Sequence, residues 1–497
     1  MATPLIMAID QGSTGTKVIC LDTNGNIVAE ANVPIKTISN RDGWVEHDPI
    51  QIWDSVKDCF LLIKEKVNTN LIKAIGITNQ RETTVIWDKT TGKPVYNAIS
   101  WQCRRSKEIC NRYNDNSLKT YIKNNTGSPL DAYYSATKIV WLFENVPNLR
   151  NKAAKGELLF GTIDSWLIWK LTEGKMHVTD ASNASRTLLF NVNNEQWDSY
   201  LLDKFNIPKN ILPSVRSSND YFGDACNPKD FFEKSIPILA CLGDQQSSLF
   251  GQGCFYQNDT KCTFGTCLNL GINTGEEFLN ESRGLTPTIA WDITKHVTYK
   301  VEGGVYVAGS LLNWIIDKVK LASNVDELSN IAEGVNTSKS LFFVPAFVGL
   351  ASPHWDMTAR GLIIGLSFNH SKDHIIRAAF DSIAYQTNDV LSAARENLGI
   401  SINRIKVDGG MAKNDFLMQL VANLAYCTVE RPLYLESTSL GVAYLAGITS
   451  KIWSGFEEIT SLRKIEKVFE PKIREESRFE LIENWTKALE KSKGWIV

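Results

Sequence analysis

Two hydrophobic periods organise this chain. LIMAI (5–9) is an unbroken apolar run that ends at Asp10, and a polar Gly12-Ser13-Thr14-Gly15 segment follows. VICL (18–21) is apolar again, Asn24-Gly25 interrupts, and IVAEANV (27–33) alternates. The pattern predicts a buried strand, a Gly/Ser/Thr turn, a second strand, a hairpin turn and a third strand. Half a chain later DTKCTFGTCLNLGINTG repeats the first part, with a strand entering Gly265-Thr266 and an apolar strand returning. Two strand–Gly-Thr–strand units point to a duplicated architecture, each half aiming one turn at a common cleft. The crossover between the halves is expected near residues 250–258.

Other segments fit mixed α/β halves. IPILACLG (236–243) is apolar enough to be a central strand, with Asp244-Gln245 at its end. NRIKVDGGMAKNDFLMQLVANLAYC predicts a strand, an Asp408-Gly409-Gly410 turn and a helix carrying Phe416, Leu417, Leu420 and Leu424, with Asn414 one turn in. HIIRAAFDSIAYQTNDVLSAARENLG predicts a long helix striped by Ile376, Ala379, Ile383, Ala384 and Val390 and stopped at Gly399. ESTSLGVAYLAG has the small residues of a helix packed closely on a sheet. The charged tail from about residue 464 reads as a surface helix without chemistry.

Composition narrows the class. At 497 residues the chain exceeds a single core, so two or three domains are expected. A formal charge of −2 argues against nucleic acid or an anionic membrane as the main partner. No apolar stretch approaches the roughly 18–20 residues that span a bilayer. MATPLIMAIDQGST has neither a basic flank nor a small-residue cleavage site, so a signal peptide is not expected. The ten cysteines form no CxxC pair and no Cys/His cluster, which disfavours a disulfide framework or zinc and fits a reduced, cytoplasmic chain.

The candidate chemistry sits at strand ends. In DQGSTGTK, glycines let backbone amides approach a polyphosphate, hydroxyls add donors, and Asp10 can hold Mg²⁺ through water; an ordinary polar hairpin is the alternative. Gly265-Thr266 would face this turn across a cleft. Asp408-Gly409-Gly410 with Asn414 offers flat contact and a helix N-terminus to a nucleotide, and Gly303-Gly304 and Gly309, before Asn313, add a wall. Asp244, at the carboxyl end of a central strand, is placed to take a proton from a hydroxyl, or else caps a helix. In GITNQRETTVIW (76–87), Arg81 and Glu82 stand side by side at the lip of a buried strand, an expensive arrangement unless used. With Trp101 and Tyr133 they suit a small uncharged polyhydroxylated molecule: the charges bind hydroxyls and the rings cover C–H faces.

Ten motifs in order carry a family resemblance: DQGSTGTK, GWVEHDP, GITNQRETT, WQCRR, FGTIDSWLIWKLT, SNASRTLLFN, GDQQ, VPAFVGL, SIAYQT and VDGG. Together they resemble the FGGY carbohydrate kinases, and among these the glycerol kinases, from about residue 5 to 455. The resemblance implies an α/β fold of two ribonuclease H-like (actin/hexokinase-type) domains around a central cleft, residues 1–252 and 253–497. It implies phosphorylation of glycerol by ATP with Mg²⁺, giving glycerol 3-phosphate, in a homodimer or homotetramer. By similarity Asp244 is the general base, and Arg81, Glu82, Trp101, Tyr133 and Gln245 surround the polyol. Asp10 serves the magnesium, and Ser13, Thr14, Lys17, Thr266, Gly309, Asn313, Gly410 and Asn414 line the ATP site.

Three departures qualify it. The second phosphate loop of glycerol kinases reads YGTGCF; here it is FGTCLN, so the aromatic that packs on glycerol's carbons becomes Asn269. A longer polyol such as a tetritol would supply a hydroxyl for it, which makes a kinase for another polyol or a ketose the rival reading, or the side chain bonds locally. Lys17 replaces the usual arginine and Gly15 a serine, which keeps charge but loses fork geometry. GDACNPKDFFEKS (223–235) lacks the glycine–arginine loop through which some bacterial members bind fructose 1,6-bisphosphate. Outside this function class, the fold also serves ATP-switched chaperones and filaments, which would need no acceptor pocket, and a catalytically dead sensor, against which Asp10, Asp244 and Thr266 speak.

Overall fold

Strand Leu5–Gln11 reads as one apolar run because it is buried on both faces. Leu5, Met7 and Ile9 enter a core with Ile52, Val56 and Phe60 of helix Pro49–Lys64 and with Trp166 and Leu167 of helix Ile163–Leu171. Ile6 and Ala8 face the other way, into a second cluster. Parallel sheets covered on both sides lose alternation for this reason. The structure is a computed structural model and describes residues 3–226, 231–280, 284–335 and 340–496. Positions 227–230 of the 223–235 segment fall outside the described residues.

Two large mixed sheets form the frame. The first runs Gly223–Ala225, Ile236–Gly243, Ile72–Asn79, Leu5–Gln11, Gly15–Leu21, Ile27–Pro34. The second runs Thr286–Ile293, His296–Val305, Leu268–Gly275, Thr260–Phe264, Arg404–Asp408, Thr428–Pro432, Ile465–Phe469. Each contains an antiparallel meander (27–34, 15–21, 5–11; then 296–305, 268–275, 260–264) continued by two parallel strands (72–79, 236–243; then 404–408, 428–432). The repeated strand–Gly-Thr–strand pattern of the sequence is therefore a repeat of sheet topology.

Late in the chain, helix Ser437–Thr449 crosses back to the first sheet. Its Leu440, Val442 and Ala443 join Ile6, Ala8 and Leu242 of the sheet and Leu249 of helix Asp244–Gly251. The two helices meet at reciprocal glycines. A Cβ on Gly441 would sit 1.8 Å from the Ser247 carbonyl oxygen, and one on Gly251 would sit 2.0 Å from that of Ser437. Ser247 Oγ donates to the Thr438 carbonyl at 2.6 Å across this contact. Gly441→Ala is expected to cost at least about 1–3 kcal/mol through forced backbone separation, seen as a lower urea midpoint. An unchanged midpoint would mean the helices separate freely.

Two expectations change. The tail after residue 464 first forms the edge strand Ile465–Phe469, and only then helix Glu475–Ser492. Four of the strand's five residues are exposed and only Phe469 is buried, so the charged edge shows neither hydrophobic period. Asn414 is not one turn into its helix. Residues Gly410–Lys413 make a tight 3₁₀ turn, and Asn414 caps helix Asp415–Ala425, its Oδ1 accepting from the Leu417 amide at 2.9 Å. The long helix runs Lys372–Leu398 to a left-handed Gly399, as its stripe predicts. Among the described residues no helix is long and apolar enough to cross a membrane, and all ten cysteines are free.

Candidate functional site

Strands Leu5–Gln11, Ile72–Asn79 and Ile236–Gly243 are mutually parallel, so their carboxyl ends converge and deliver Asp10, Arg81-Glu82 and Asp244 to one place. Asp244 opens helix Asp244–Gly251, with Gly243 before it as the cap, so the capping alternative does not hold. Arg81 Nε lies 3.2 Å from Asp244 Oδ1, and the Asp244 side chain stays about a third exposed. Asp10 accepts from Ser439 Oγ at 2.9 Å. Burial pushes its carboxyl up to about 6, with Ser439 opposing, the Asp244 charge adding and Lys17 opposing.

The adjacent Arg81 and Glu82 are 4.0 Å apart and find their close partners elsewhere. Glu82 is left-handed (φ 61°), which turns its carboxylate toward Arg186 Nε at 2.5 Å. Arg81 Nη1 donates to Glu302 Oε1 at 2.6 Å and to Gln246 Oε1 at 3.1 Å. Lys300 Nζ is also 2.6 Å from Glu302, and Arg186 Nη1 is 3.5 Å away. Burial pushes the Glu302 carboxyl up, but Arg81, Lys300 and Arg186 hold it well below the usual carboxylate range. Burial also pulls the Lys300 ammonium down to about 7, against Glu302. Arg81 and Glu82 thus belong to a buried network that ties the first sheet to strand His296–Val305 of the second.

The aromatic pair closes one side. Trp101 and Tyr133 meet edge to face at 5.7 Å, and Trp101 Nε1 donates to Ser13 Oγ at 2.8 Å. On the other side Gln245 Oε1 accepts from Lys261 Nζ at 2.6 Å, and Lys261 donates to Thr263 Oγ1 at 2.7 Å. Asn269 sits directly across the strands from Thr263. Its Oδ1 is buried and finds no hydrogen-bond partner among the described residues.

The second half supplies glycine-lined backbone. The Gly265 and Thr266 carbonyls accept from Gly309 N at 3.0 Å and from Ala308 N and Ser310 N at 3.1 Å. A Cβ on Gly309 would lie 2.6 Å from the Gly265 oxygen, and Gly409 (φ 87°) presses on the Phe264 carbonyl, where a Cβ would be 2.5 Å away. Only glycine fits these approaches. In front of Gly410 the space is open, Thr266 is exposed, and Asn313 is exposed one turn after Gly309. Asp408 is buried and tied to Ser248 Oγ at 2.7 Å, so it anchors this turn to the Asp244 helix. Gly303 faces the long helix, where a Cβ would meet Val390, and so it is no wall of the cleft. Thr14 is exposed, while Lys17 pairs with Glu436 at 3.5 Å.

The structure thus gathers Arg81, Glu82, Trp101, Tyr133, Asp244, Gln245 and Asn269 around one region, and Thr266, Gly309 and Gly410 around another. Sequence reasoning passed over Arg186, Glu302, Lys300 and Lys261. For Lys300 and Glu302 the available signal was a pair of charges at i, i+2 within an otherwise strand-like run, YKVEGGV, whereas Arg186 in SNASRTLLFN has no such spacing.

The model of the FGGY family of carbohydrate kinases, N-terminal domain, matches residues 5–251, and that of the C-terminal domain matches residues 260–450. A protein from Thermotoga maritima named glycerol kinase 2 is 46% identical over 492 residues, 99% of either chain. A Clostridium perfringens glycerol kinase is 48% identical over 495 residues, again 99% of each. The crystal structure of Plasmodium falciparum glycerol kinase with ADP superposes with a TM-score of 0.93 at 37% identity, covering 99% of this chain and 98% of that one. A ligand-bound xylulose kinase from Lactobacillus acidophilus, 23% identical with a TM-score of 0.87 over 98% and 97% of the two chains, shares the fold.

Proposed function

The chain belongs to the FGGY family of carbohydrate kinases, and on that premise we propose that it transfers the γ-phosphoryl group of ATP to a terminal hydroxyl of glycerol, giving glycerol 3-phosphate. The observation that carries this reading is the Asp244 carboxylate, open at the end of a central strand and oriented by Arg81 at 3.2 Å. Relatives named glycerol kinase over 99% of their length support the acceptor.

The acceptor hydroxyl gives its proton to Asp244 as its oxygen bonds to the γ-phosphorus and ADP leaves. Arg81 donates to the polyol oxygens, Glu82 and Gln245 accept from its hydroxyls, and Trp101 and Tyr133 cover its C–H edges. The donor lies along Thr266, Gly309, Asn313, Gly410 and Asn414, with Ser13, Thr14 and Lys17 at the phosphates. A nucleotide-bound relative of 37% identity supports that side. Asp10, a buried carboxyl pushed up to about 6 beside a second carboxylate, suits a divalent cation as counter-charge. Magnesium bound there would neutralise phosphate charge. Residues 1–252 and 253–497 carry the two sheets that flank the cleft, with helix Ser437–Thr449 of the second range packed on the first sheet, and closure of the cleft excludes water. The enzyme works in the cytoplasm as a homodimer or homotetramer.

A second reading, a longer polyol such as a tetritol, is favoured by the unpartnered Asn269 Oδ1. Leaving such an atom unmet costs about 1–3 kcal/mol, enough to invert a preference between acceptors differing by one hydroxyl. ADP release measured across glycerol, dihydroxyacetone, erythritol, threitol and the pentitols decides. We expect glycerol to have the highest kcat/KM and Asn269→Phe to keep it first. A tetritol leading in the wild type, with Asn269→Phe returning glycerol to the lead, would displace the first reading.

A further inference from the structure

Lys138 lies in helix Ser135–Asn145, and its side chain is wholly buried. A lysine is among the residues least often found there without a counter-ion. Its ammonium makes two hydrogen bonds, both to backbone: to the Glu82 carbonyl at 2.9 Å and to the Tyr133 carbonyl at 2.6 Å. The Glu82 carbonyl also accepts from Ser135 Oγ at 3.1 Å and from Thr84 Oγ1 at 3.1 Å. Three side-chain donors therefore converge on one carbonyl.

That carbonyl belongs to a residue in an unusual state. Glu82 is a left-handed non-glycine, and such a conformation persists only where its surroundings hold it. The conformation sends the Glu82 carboxylate to Arg186 while Arg81 reaches Asp244 and Glu302. Tyr133, the other end of the Lys138 bridge, carries the ring that meets Trp101. One ammonium thus spans the charged wall and the aromatic wall of the acceptor site.

We infer that Lys138 is the positioning residue of the acceptor site, fixing the distance between its charged and aromatic walls. The inference rests on the acceptor pocket proposed above. An apolar side chain of equal length would fill the same volume, so filling alone does not call for an amine. Burial pulls the ammonium down to about 7, with the Glu82 charge opposing; the site tolerates this for the sake of two backbone bonds. A small misplacement of a positioned substrate costs much in rate.

The test is Lys138→Met, assayed for acceptor and ATP kinetics beside the wild type. The expected result is an acceptor KM raised at least tenfold, a smaller fall in kcat, and an ATP KM within twofold of wild type. In Lys138→Ala, added ethylammonium should recover part of the lost acceptor affinity. Acceptor and ATP KM rising together, or neither moving while only thermal stability falls, would overturn the inference and leave Lys138 a structural residue. Should these variants fail to fold, Ser135→Ala removes a milder donor to the same carbonyl. It should raise the acceptor KM about two- to fivefold with the ATP KM unchanged, and no change would overturn the inference. A wild type that phosphorylates no polyol sinks the kinase reading and this one with it, whereas an active wild type with an unaltered Lys138→Met sinks this one alone.

Discussion

Asp244→Asn is expected to lower kcat for polyol phosphorylation by about 10²–10⁴-fold, the usual worth of a positioned general base. The substitution preserves shape but gives up the charge that pairs with Arg81 Nε, which sits 3.2 Å from the present carboxylate. What disappears is a proton acceptor for the attacking hydroxyl. Phosphoryl transfer passes through a loose transition state in which the hydroxyl proton leaves late, which favours the lower end of that range. ATP binding should be nearly unchanged, because the residues assigned to the nucleotide, Thr266, Gly309, Asn313, Gly410 and Asn414 with Ser13, Thr14 and Lys17 at the phosphates, do not include Asp244. ADP release at saturating ATP, paired with nucleotide titration calorimetry, measures both. A variant keeping more than a tenth of wild-type kcat would remove Asp244 from the role of base, while the fold and the cleft would stand.

The parts of this site legible in the sequence are those enforced locally. Gly309 and Gly409 are glycines because a Cβ would strike backbone, and Asp10 and Asp244 break apolar strands where chain direction alone puts them at one edge. The family motifs add proposed roles for Trp101, Tyr133 and Gln245. What the sequence hides is set by pairing across hundreds of positions. Arg81 and Glu82 look like a pair because they are neighbours, yet a positive φ at Glu82 sends them to different partners. Glu302 sits 221 positions from Arg81, and no local pattern announces that contact. The edge strand Ile465–Phe469 is missed for the opposite reason: its outer face is charged, so no period marks it.

Glu302→Gln is expected to be the most destabilising single change in the cleft, at about 3–5 kcal/mol, the usual cost of leaving buried charges without their partner. At roughly 2–4 °C per kcal/mol for domains of 150–250 residues, Tm should fall by about 6–20 °C. The reason is charge count. Three cations, Arg81, Lys300 and Arg186, converge on this one carboxylate, and the glutamine would turn an N–H₂ toward them with only Glu82 and Asp244 left to compensate. Of the three, Lys300 alone can shed its charge, since burial already holds it down to about 7 against Glu302. Its folded value lies below the unfolded one, so its burial is most costly at low pH, and the cost is relieved as pH rises through the folded value. Removing Glu302 lowers that value further and enlarges the cost only while the wild-type lysine is still charged. The Tm gap between wild type and Glu302→Gln should therefore be wider at pH 6 than at pH 8, and Lys300→Met added to Glu302→Gln should recover part of it at pH 6. A gap that is the same at both pH values, with no recovery in the double variant, would mean that Lys300 is not held charged by Glu302. The acceptor KM would then separate the two jobs of this carboxylate. Arg81 released from Glu302 loses its orientation toward the polyol, so KM should rise even under conditions where the variant is fully folded.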